Sequence, residues 1–308
     1  MAENPKPLVS ISCITYNHAP YIRECLEGFL MQKTNFPFEI LIHDDASTDG
    51  TADIIREYQA EYPDLIKPIL REKNLYSQGI RCINRFNIER AHGKYIAFCE
   101  GDDFWTDPHK LQIQFDFMEE HPDYSMCFAQ VLQHRVGSSE NDTIWNQLEN
   151  REYSSSEIYQ NWLVPTCTVF LKKSIYKSLR CQKLSSDNRF IYGDLPLWLV
   201  AATEGKLRGM NIVVGQYNRH PGGMTATKQT FEFLSKLVIY NEALRELFPE
   251  IKDLDNHFVS GLYYALCKKQ LRRANIFAAI SMFRKSCKFS KQYVFSWLNR
   301  DLKRMLHI

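Results

Sequence analysis

Several features that would assign a protein class directly are missing from this chain of 308 residues. Its nine cysteines form no CxxC pair and have no histidine-rich partner spacing, which argues against a structural zinc site and a disulfide framework. This cysteine usage indicates a reducing, cytosolic compartment. The formal net charge is only +2, so we expect no overall electrostatic attraction to nucleic acid.

Long apolar runs are also missing. The N-terminal stretch MAENPKPLVSISC lacks the charged start and apolar segment of a signal peptide. No window offers about 18 uncharged apolar residues, the length that a membrane-spanning helix requires. We therefore expect a cytoplasmic protein whose contact with a membrane, if any, is peripheral. Because 44% of its residues are hydrophobic, it can bury one large core, or one core with an appended subdomain.

Apolar periodicity predicts strands alternating with helices in the first third of the chain. The predicted strands are 8–14, 38–43, 66–70 and 94–99, and the predicted helices are 21–32, 51–62 and 80–91. This alternation is typical of a parallel α/β sheet with helices on its faces.

After residue 108 the alternation loosens. We predict a helix at 110–121, strands at 124–134 and 165–172, a helix from about Asp194 and a strand at 210–217. The polar, serine-containing segment 135–160 is predicted to be a flexible loop. The chain beyond residue 225 is predicted to be helical.

Two acidic clusters directly follow predicted strands: Asp44 with Asp45, and Glu100 with Asp102 and Asp103. In an open α/β sheet, ligands bind beyond the carboxyl ends of the strands. Adjacent carboxylates repel each other, but a hard divalent cation can share them. Mg²⁺ or Mn²⁺ held in this way commonly completes its shell with substrate phosphates. The pattern therefore indicates a diphosphate ligand, and the alternative is a solvated loop at each strand end.

Four segments in order carry a resemblance to a known family: SISCITYNHAPYI, EILIHDDASTDGT, NLYSQG and AHGKYIAFCEGDDFWTDPHKL. Together they resemble the nucleotide-binding half of family 2 glycosyltransferases. The resemblance implies the GT-A fold, which is a Rossmann-like α/β fold with a mostly parallel sheet flanked by helices. On this basis we expect a catalytic domain at 1–225, with a nucleotide-binding half at 1–108 and an acceptor-binding half at 109–225. A helical extension at 226–308 would follow.

The resemblance also implies roles for individual residues. Contacts to the nucleotide sugar are expected from Thr15, Tyr16, Asp44, Asp45, Arg85 and Asp102. Asp103, together with Asp102, would hold Mn²⁺ or Mg²⁺, and His220 would contact the metal or the diphosphate. His220 could equally be a surface or core histidine. Glu100 stands where the family usually has Asp or Asn, and we assign it no role.

Sugar transfer to an alcohol needs a general base. Asp194 in IYGDLPLWL is our candidate, because Gly193 allows a close approach and Pro196 suits the first turn of a helix. The family also has a base aspartate in a comparable segment. The alternative role of Asp194 is a helix N-cap, and Asp187 is the reserve candidate for the base. Trp105 is a candidate for stacking on an acceptor sugar, although large aromatic residues are more often in the core.

The C-terminal stretch 268–308 is strongly basic. It contains eleven Lys or Arg residues and a single acid, Asp301, with aromatic residues between them. Such a basic amphipathic region is typical of helices that lie on an anionic membrane surface. The sequence leaves open a second interpretation, a helical subdomain packed on the catalytic domain with a solvated basic face.

We therefore predict a metal-dependent, inverting glycosyltransferase of the cytosolic membrane face that acts in surface polysaccharide synthesis, such as lipopolysaccharide or capsule. Its donor would be a nucleotide-diphosphate sugar, with a UDP-sugar preferred, and its acceptor a hydroxyl of a glycan or lipid-linked sugar. One alternative is a sugar-phosphate nucleotidyltransferase, which should have a glycine-rich, basic loop after the first strand. The other is a non-catalytic α/β binding module, because Asp-Asp at a strand end also occurs in phospho-acceptor receivers.

Overall fold

The computed structural model describes residues 6–80, 85–223, 230–251, 254 and 257–306. The first hundred residues contain the predicted alternation of strands and helices. The helix predicted at 80–91 is observed as Arg85–Arg90. Ile83 and Asn84, which the sequence placed in this helix, lie outside the described residues.

Ten strands of the described chain form one mixed sheet. They are β1 (Val9–Thr15), β2 (Phe38–Asp44), β3 (Ile66–Leu70), β4 (Tyr95–Phe98), β5 (Phe104–Trp105), β6 (Tyr124–Arg135), β7 (Thr143–Ile144), β8 (Arg151–Tyr153), β9 (Phe170–Lys172) and β10 (Lys206–Arg219). Their order is β3-β2-β1-β4-β9-β6-β10-β5, with β7 paired to β6 and β8 paired to β10. The block β3-β2-β1-β4 is parallel, so the loops after these four strands leave the same edge of the sheet.

Eleven α-helices accompany the sheet in the described residues. They are α1 (Ile22–Leu30), α2 (Thr51–Glu61), α3 (Arg85–Arg90), α4 (Lys110–Glu120), α5 (Ser155–Asn161), α6 (Leu179–Ser186), α7 (Asp194–Glu204), α8 (Phe231–Leu247), α9 (His257–Arg272), α10 (Ile276–Phe289) and α11 (Lys291–Leu306). Short 3₁₀ turns occur at Thr166–Thr168, Lys173–Lys177 and Pro249–Ile251.

The prediction of a flexible loop at 135–160 is wrong. This segment contains β7, β8 and α5. β7 pairs antiparallel with β6, the strand that precedes it, and β8 pairs antiparallel with β10, which lies much later in the chain. A polar composition does not reveal such pairing, because strand formation depends on the neighbouring strand as well as on the local sequence.

The described chain divides into two compact units. The first consists of Met1–Ser154, Leu163–Asn188 and Leu197–Ala226, and it contains the whole sheet. The second consists of Ser155–Trp162, Arg189–Pro196 and Thr227–Ile308.

The core of the first unit forms around β1, which has a neighbouring strand on each side and is almost fully buried. Helix α1 covers it with residues at helical spacing, Ile22, Cys25, Leu26 and Phe29, all of which are buried. The ring of Phe29 meets Trp105 edge to face, with 4.8 Å between ring centres.

The core of the second unit forms between α8 and α9, where Leu234, Leu237, Leu262 and Tyr263 are buried together. α10 and α11 both pack against α9. In the part of the chain that the structure describes, no helix is both long enough and apolar enough to span a bilayer.

Candidate active site

The loops that leave β1, β2 and β4 are joined by polar contacts at the carboxyl edge of the sheet. Asn17, in the loop after β1, receives a hydrogen bond on its side-chain oxygen from the Thr48 N–H at 2.8 Å, and its own N–H donates to Ser47 Oγ at 2.8 Å. Asn17 has φ 56°, a left-handed conformation that asparagine tolerates better than most residues. Asp49 accepts hydrogen bonds from the Thr51 N–H at 3.0 Å, in the first turn of α2, and from the Ala19 N–H at 2.9 Å.

Asp45 fixes the NLYSQG loop. One carboxylate oxygen accepts the N–H of Leu75 at 2.8 Å, and the other accepts the N–H of Tyr76 at 3.0 Å. The carbonyl oxygen of Asp45 accepts the Asn74 amide at 2.9 Å. Asp45 therefore positions the backbone of this loop, a contact that sequence reasoning did not predict.

Asp44 lies beside it, fully buried at the end of β2. Burial raises the pKa of Asp44, and hydrogen bonds from the Ser47 hydroxyl and N–H partly offset this effect. Thr15 ends the neighbouring strand β1 and is buried, whereas Tyr16 is 46% exposed. The residues predicted to contact the nucleotide therefore lie at the ends of adjacent strands.

A cationic cluster surrounds Phe86 on the same edge. The guanidinium carbons of Arg71 and Arg85 lie 4.7 and 4.9 Å from the centre of the Phe86 ring. The buried Nε atoms of both arginines have no hydrogen-bond partner among the described residues. Burial, reinforced by the charge of Arg71, lowers the pKa of His43 to about 4, so this histidine is neutral at physiological pH. Arg85 was predicted from the sequence, and Arg71 was not.

Glu100, Asp102 and Asp103 follow β4, and each offers a carboxylate oxygen within 4.8 Å of the others. The backbone that carries them is held from the core side, because the thiols of Cys25 and Cys99 contact Glu100 O at 3.5 and 3.6 Å. The structure thus brings together the acidic cluster that the sequence singled out.

Asp103 is the buried member of this cluster. Its Oδ1 accepts the Asn218 N–H at 2.9 Å, and the Asn218 amide donates to Asp102 O at 2.7 Å. Burial, together with the charges of Asp102 and Glu100, raises the pKa of Asp103. Nearby positive charge would lower the cost of its ionised form.

Asp102 Oδ2 lies 3.1 Å from His220 Nε2 and 3.7 Å from His18 Nε2. Burial acts to raise the pKa of Asp102, but the hydrogen bond from His220 and the charge of His18 outweigh it and lower this pKa. Burial also lowers the pKa of His18. The ring of Tyr21 packs on His220 with 4.8 Å between ring centres. His220 is therefore part of the acidic centre.

The donor set fits a hard divalent cation. Its three carboxylate groups offer the oxygen ligands that Mg²⁺ and Mn²⁺ prefer, and the imidazole of His220 adjoins Asp102. Asp102 Oδ1 is buried and has no hydrogen-bond partner among the described residues. A buried carboxylate oxygen without a partner is costly, and a bound cation would satisfy it.

Trp105 corrects one prediction. It is 1% exposed, and its indole N–H donates to Cys167 O at 2.7 Å. The ammonium group of Lys110 lies 4.1 Å from the centre of its ring. Trp105 is therefore a core residue beneath the acidic loop, and the prediction that it stacks on an acceptor sugar is wrong.

Asp194 is the first residue of α7, as its N-terminal helical position predicted. Its Oδ1 is buried without a hydrogen-bond partner in the described residues, and burial raises the pKa of its carboxyl. The Tyr240 hydroxyl in the same unit is also buried without a partner there. The reserve candidate, Asp187, instead follows the last residue of α6 as its C-cap.

Sequence reasoning missed His18, Arg71 and Asn218. A signal existed for the first two: His18 follows β1 in the TYNH stretch, and Arg71 directly follows β3, so both start from the ligand-binding edge. Asn218 carried no such signal, because its contact with Asp103 depends on the sheet pairing of β10.

The profile of the family described as Glycosyl transferase family 2 matches residues 10–180. This is more than half of the 308 residues, so the chain belongs to family 2 of the glycosyltransferases. The resemblance read from the four sequence segments is confirmed.

Named relatives agree with this assignment. The Escherichia coli protein WfaP, named as a UDP-Glc:alpha-D-GlcNAc-diphosphoundecaprenol beta-1,3-glucosyltransferase, is 30% identical over 72% of this chain and 81% of its own length. The uncharacterised protein Rv1520 of Mycobacterium tuberculosis is 49% identical over 40% of this chain. That match spans only 35% of the mycobacterial protein, about a third of its length.

Solved structures share the fold at low sequence identity. S. aureus TarS in complex with UDP-GlcNAc is 17% identical and has a TM-score of 0.58, over 90% of this chain and 79% of that one. The mannosyltransferase PcManGT from Pyrobaculum calidifontis, in complex with GDP-Man and Mn²⁺, is 16% identical with a TM-score of 0.52, over 98% and 81%. The GT-A fold, a mixed α/β sheet with flanking helices and helices at the C-terminus, is thereby confirmed.

Proposed function

We propose that this protein is a metal-dependent, inverting glycosyltransferase that moves a sugar from a nucleotide-diphosphate sugar to a hydroxyl group in surface polysaccharide synthesis. The observation that carries the proposal is the environment of Asp102. Its Oδ2 lies beside two imidazoles and its Oδ1 is buried without a partner among the described residues, next to two further carboxylates.

The residues that would hold the ion are Asp102, Asp103 and His220. When bound, a divalent cation stabilises the negative charge of the departing diphosphate. His18, whose Nε2 lies 3.7 Å from Asp102 Oδ2, would help to orient this carboxylate.

The donor is a UDP-sugar. Thr15, Tyr16, Asp44 and the loop fixed by Asp45 line the strand ends where the base and ribose would bind. The Nε atoms of Arg71 and Arg85 have no hydrogen-bond partner among the described residues. A guanidinium group is suited to binding phosphate oxygens. The UDP-dependent name of WfaP and the UDP-GlcNAc complex of TarS support this choice of nucleotide.

Asp194 is the proposed general base. It removes the proton of the acceptor hydroxyl while that oxygen attacks the anomeric carbon and the carbon–oxygen bond to the diphosphate breaks, which inverts the anomeric configuration. Burial favours this role because it raises the pKa of Asp194, and a more basic carboxylate takes up a proton more readily.

The acceptor is a glycan or lipid-linked sugar at the cytoplasmic face of the membrane, approached through the basic region 268–308. The name of WfaP describes a diphosphoundecaprenol-linked acceptor, which supports a lipid-linked substrate.

A donor screen tests the proposal. UDP-Glc, UDP-GlcNAc and GDP-Man are each added with Mn²⁺ or with EDTA, and the thermal midpoint and the released nucleotide are measured. We expect one donor to stabilise the protein only with Mn²⁺ and to release a nucleoside diphosphate on slow hydrolysis. If no donor stabilises the protein, the binding proposal fails. Release of pyrophosphate from a nucleoside triphosphate and a sugar phosphate would instead support the nucleotidyltransferase alternative.

A further inference from the structure

Four large apolar side chains are exposed where α9 turns into α10. The exposed fractions are 54% for Leu271, 60% for Ile276, 89% for Phe277 and 46% for Ile280. We call these four residues the corner patch. A single exposed leucine needs no explanation, but four such residues across one tight turn form a patch that is typical of an interaction site.

Three residues of the corner patch, Ile276, Phe277 and Ile280, lie on the solvent-exposed part of the amphipathic helix α10. Ile276 and Ile280 are four residues apart and therefore lie on the same side of α10. An adjoining side of α10 is held in the fold, because Ala279 and Ser286 are buried and the Ser286 hydroxyl donates to Ser260 O at 2.7 Å. α10 therefore cannot rotate its apolar residues inward without breaking this contact.

Cations adjoin the corner patch. Arg284 and Lys288 are exposed on the later turns of α10, and Arg272 is exposed at the end of α9. None of these three has an ion-pair partner in the described part of the chain. Other cations of this region are used within the fold: Lys268 pairs with Asp301 at 3.0 Å, and Arg273 lies over Phe231.

The region also lacks compensating negative charge. Between residues 268 and 301 the sequence has nine Lys or Arg residues and only Asp301 as an acid. Two copies of the chain that met through this face would bring like charges together, so self-association is disfavoured. A surface with dense phosphate groups at its rim and apolar material beneath complements both the cations and the corner patch.

We infer that the corner patch is inserted into the headgroup boundary of an anionic lipid bilayer, with Arg272, Arg284 and Lys288 on lipid phosphates. An aromatic side chain flanked by cations is favoured at this depth, because the ring enters the acyl boundary while the charges stay among the headgroups. This inference rests on the proposed function in one respect, since it gives the enzyme a route to a lipid-linked acceptor.

The test is cosedimentation of the full chain with vesicles of phosphatidylcholine, with or without phosphatidylglycerol. We expect binding only to the vesicles that contain phosphatidylglycerol, and weaker binding as salt is raised. Arg284→Gln combined with Lys288→Gln should lower the partition coefficient on the order of 25-fold, because each cation contributes about fivefold. Phe277→Ser combined with Ile280→Ser should abolish the binding that persists at high salt.

Matched controls lie in the first unit. Leu179→Ser removes an apolar side chain that is 75% exposed on α6, and Lys177→Gln removes an exposed cation next to that helix. Both controls should bind vesicles like the wild type. Because all substituted side chains are exposed, the thermal midpoints should stay unchanged.

Three results would overturn the inference: equal binding to both kinds of vesicle, wild-type binding by both double variants, or a dimer in solution that Phe277→Ser dissociates. The last result would assign the corner patch to a second copy of the chain. Nucleotide release from the donor is measured in parallel in the same samples. If vesicle binding fails while donor hydrolysis persists, only this inference fails, and the reverse result refutes only the proposed function.

Discussion

His220 Nε2 and His18 Nε2 both face a single oxygen of Asp102, at 3.1 and 3.7 Å. His18 comes from the loop after β1 and His220 from the residue after β10, so strands far apart in sequence meet at one carboxylate. The other oxygen, Oδ1, is buried without a partner among the described residues. This arrangement makes Asp102 the centre of the candidate site.

His220→Ala should weaken Mn²⁺ binding on the order of 10- to 100-fold, as is usual when a ligand or its supporting partner is removed. His18→Ala should have a smaller effect in the same direction, because its ring is farther from Asp102. Isothermal titration of Mn²⁺ in the presence of UDP measures both constants. His121→Ala is the matched control, since His121 contacts Phe117 O at the end of α4. Unchanged Mn²⁺ affinity in His220→Ala would remove His220 from the metal site.

Gly101→Ala should disrupt the acidic loop. A methyl group at this position would lie 2.8 Å from Thr15 Oγ1 and 3.1 Å from His18 Nδ1, closer than side chains tolerate. We expect a loss of about 1 to 3 kcal/mol in the free energy of unfolding, together with weaker Mn²⁺ binding. Gly193→Ala is the control, because a methyl group there meets nothing within 4 Å. Urea denaturation compares the two, and equal stability would contradict the account of this loop.

Asp194→Asn should lower the rate of sugar transfer by about 10²- to 10⁴-fold while donor binding is kept. Asp187→Asn, at the reserve position, should transfer sugar like the wild type. Product formation in single-turnover assays distinguishes them. If Asp187→Asn is the inactive variant, the base has been assigned to the wrong residue.

Asp194→Asn should also change the thermal stability of the protein. Burial raises the folded-state pKa of Asp194, so ionising this carboxyl costs stability as the pH rises from its ordinary pKa through the folded-state value. At neutral pH Asp194→Asn should therefore unfold at a higher temperature than the wild type. The difference should vanish in acid, where the Asp194 carboxyl is protonated in both the folded and the unfolded state.

Lys110 gives a prediction with the opposite pH dependence. It is fully buried, its ammonium group donates to Gln114 Oε1 at 2.7 Å, and burial lowers its pKa from 10.5 to about 8. Between these values the unfolded chain binds a proton that the folded chain lacks, so stability rises with pH. Relative to Lys110→Met, the wild type should gain up to about 3 kcal/mol from about pH 8 to about pH 10.5, measured by urea denaturation. If the free energies of unfolding of the wild type and Lys110→Met change in parallel with pH, the lowered pKa of Lys110 is contradicted.

The parallel half of the fold was predictable because its signals are local. β1 is a short apolar run whose residues are almost all buried, and α1 repeats apolar residues at helical spacing. Asp44, Asp45, Asp102 and Asp103 were predictable for a related reason. They follow strands directly, and the topology of a parallel sheet gathers such residues at one edge.

Strand pairing and burial explain what the sequence did not reveal. β7 is stabilised by pairing with β6, and β8 by pairing with β10. A segment whose polar composition predicts a loop therefore forms strands. Trp105 could have been a core residue or a sugar platform, and only its hydrogen bond to Cys167 O and its burial decide between them. The loop-anchoring role of Asp45 likewise depends on backbone groups about thirty residues away in the chain.

The most direct test of the central claim is the Mn²⁺ dependence of UDP binding in the wild type and in Asp102→Asn. Asp53→Asn, which removes an exposed carboxylate paired with Arg56 on α2, is the matched control. Isothermal titration should show UDP binding to the wild type and to Asp53→Asn only when Mn²⁺ is present, and no Mn²⁺-dependent binding to Asp102→Asn. If Asp102→Asn binds UDP with the same Mn²⁺ dependence as the wild type, the metal-assisted transfer proposed for this site is contradicted.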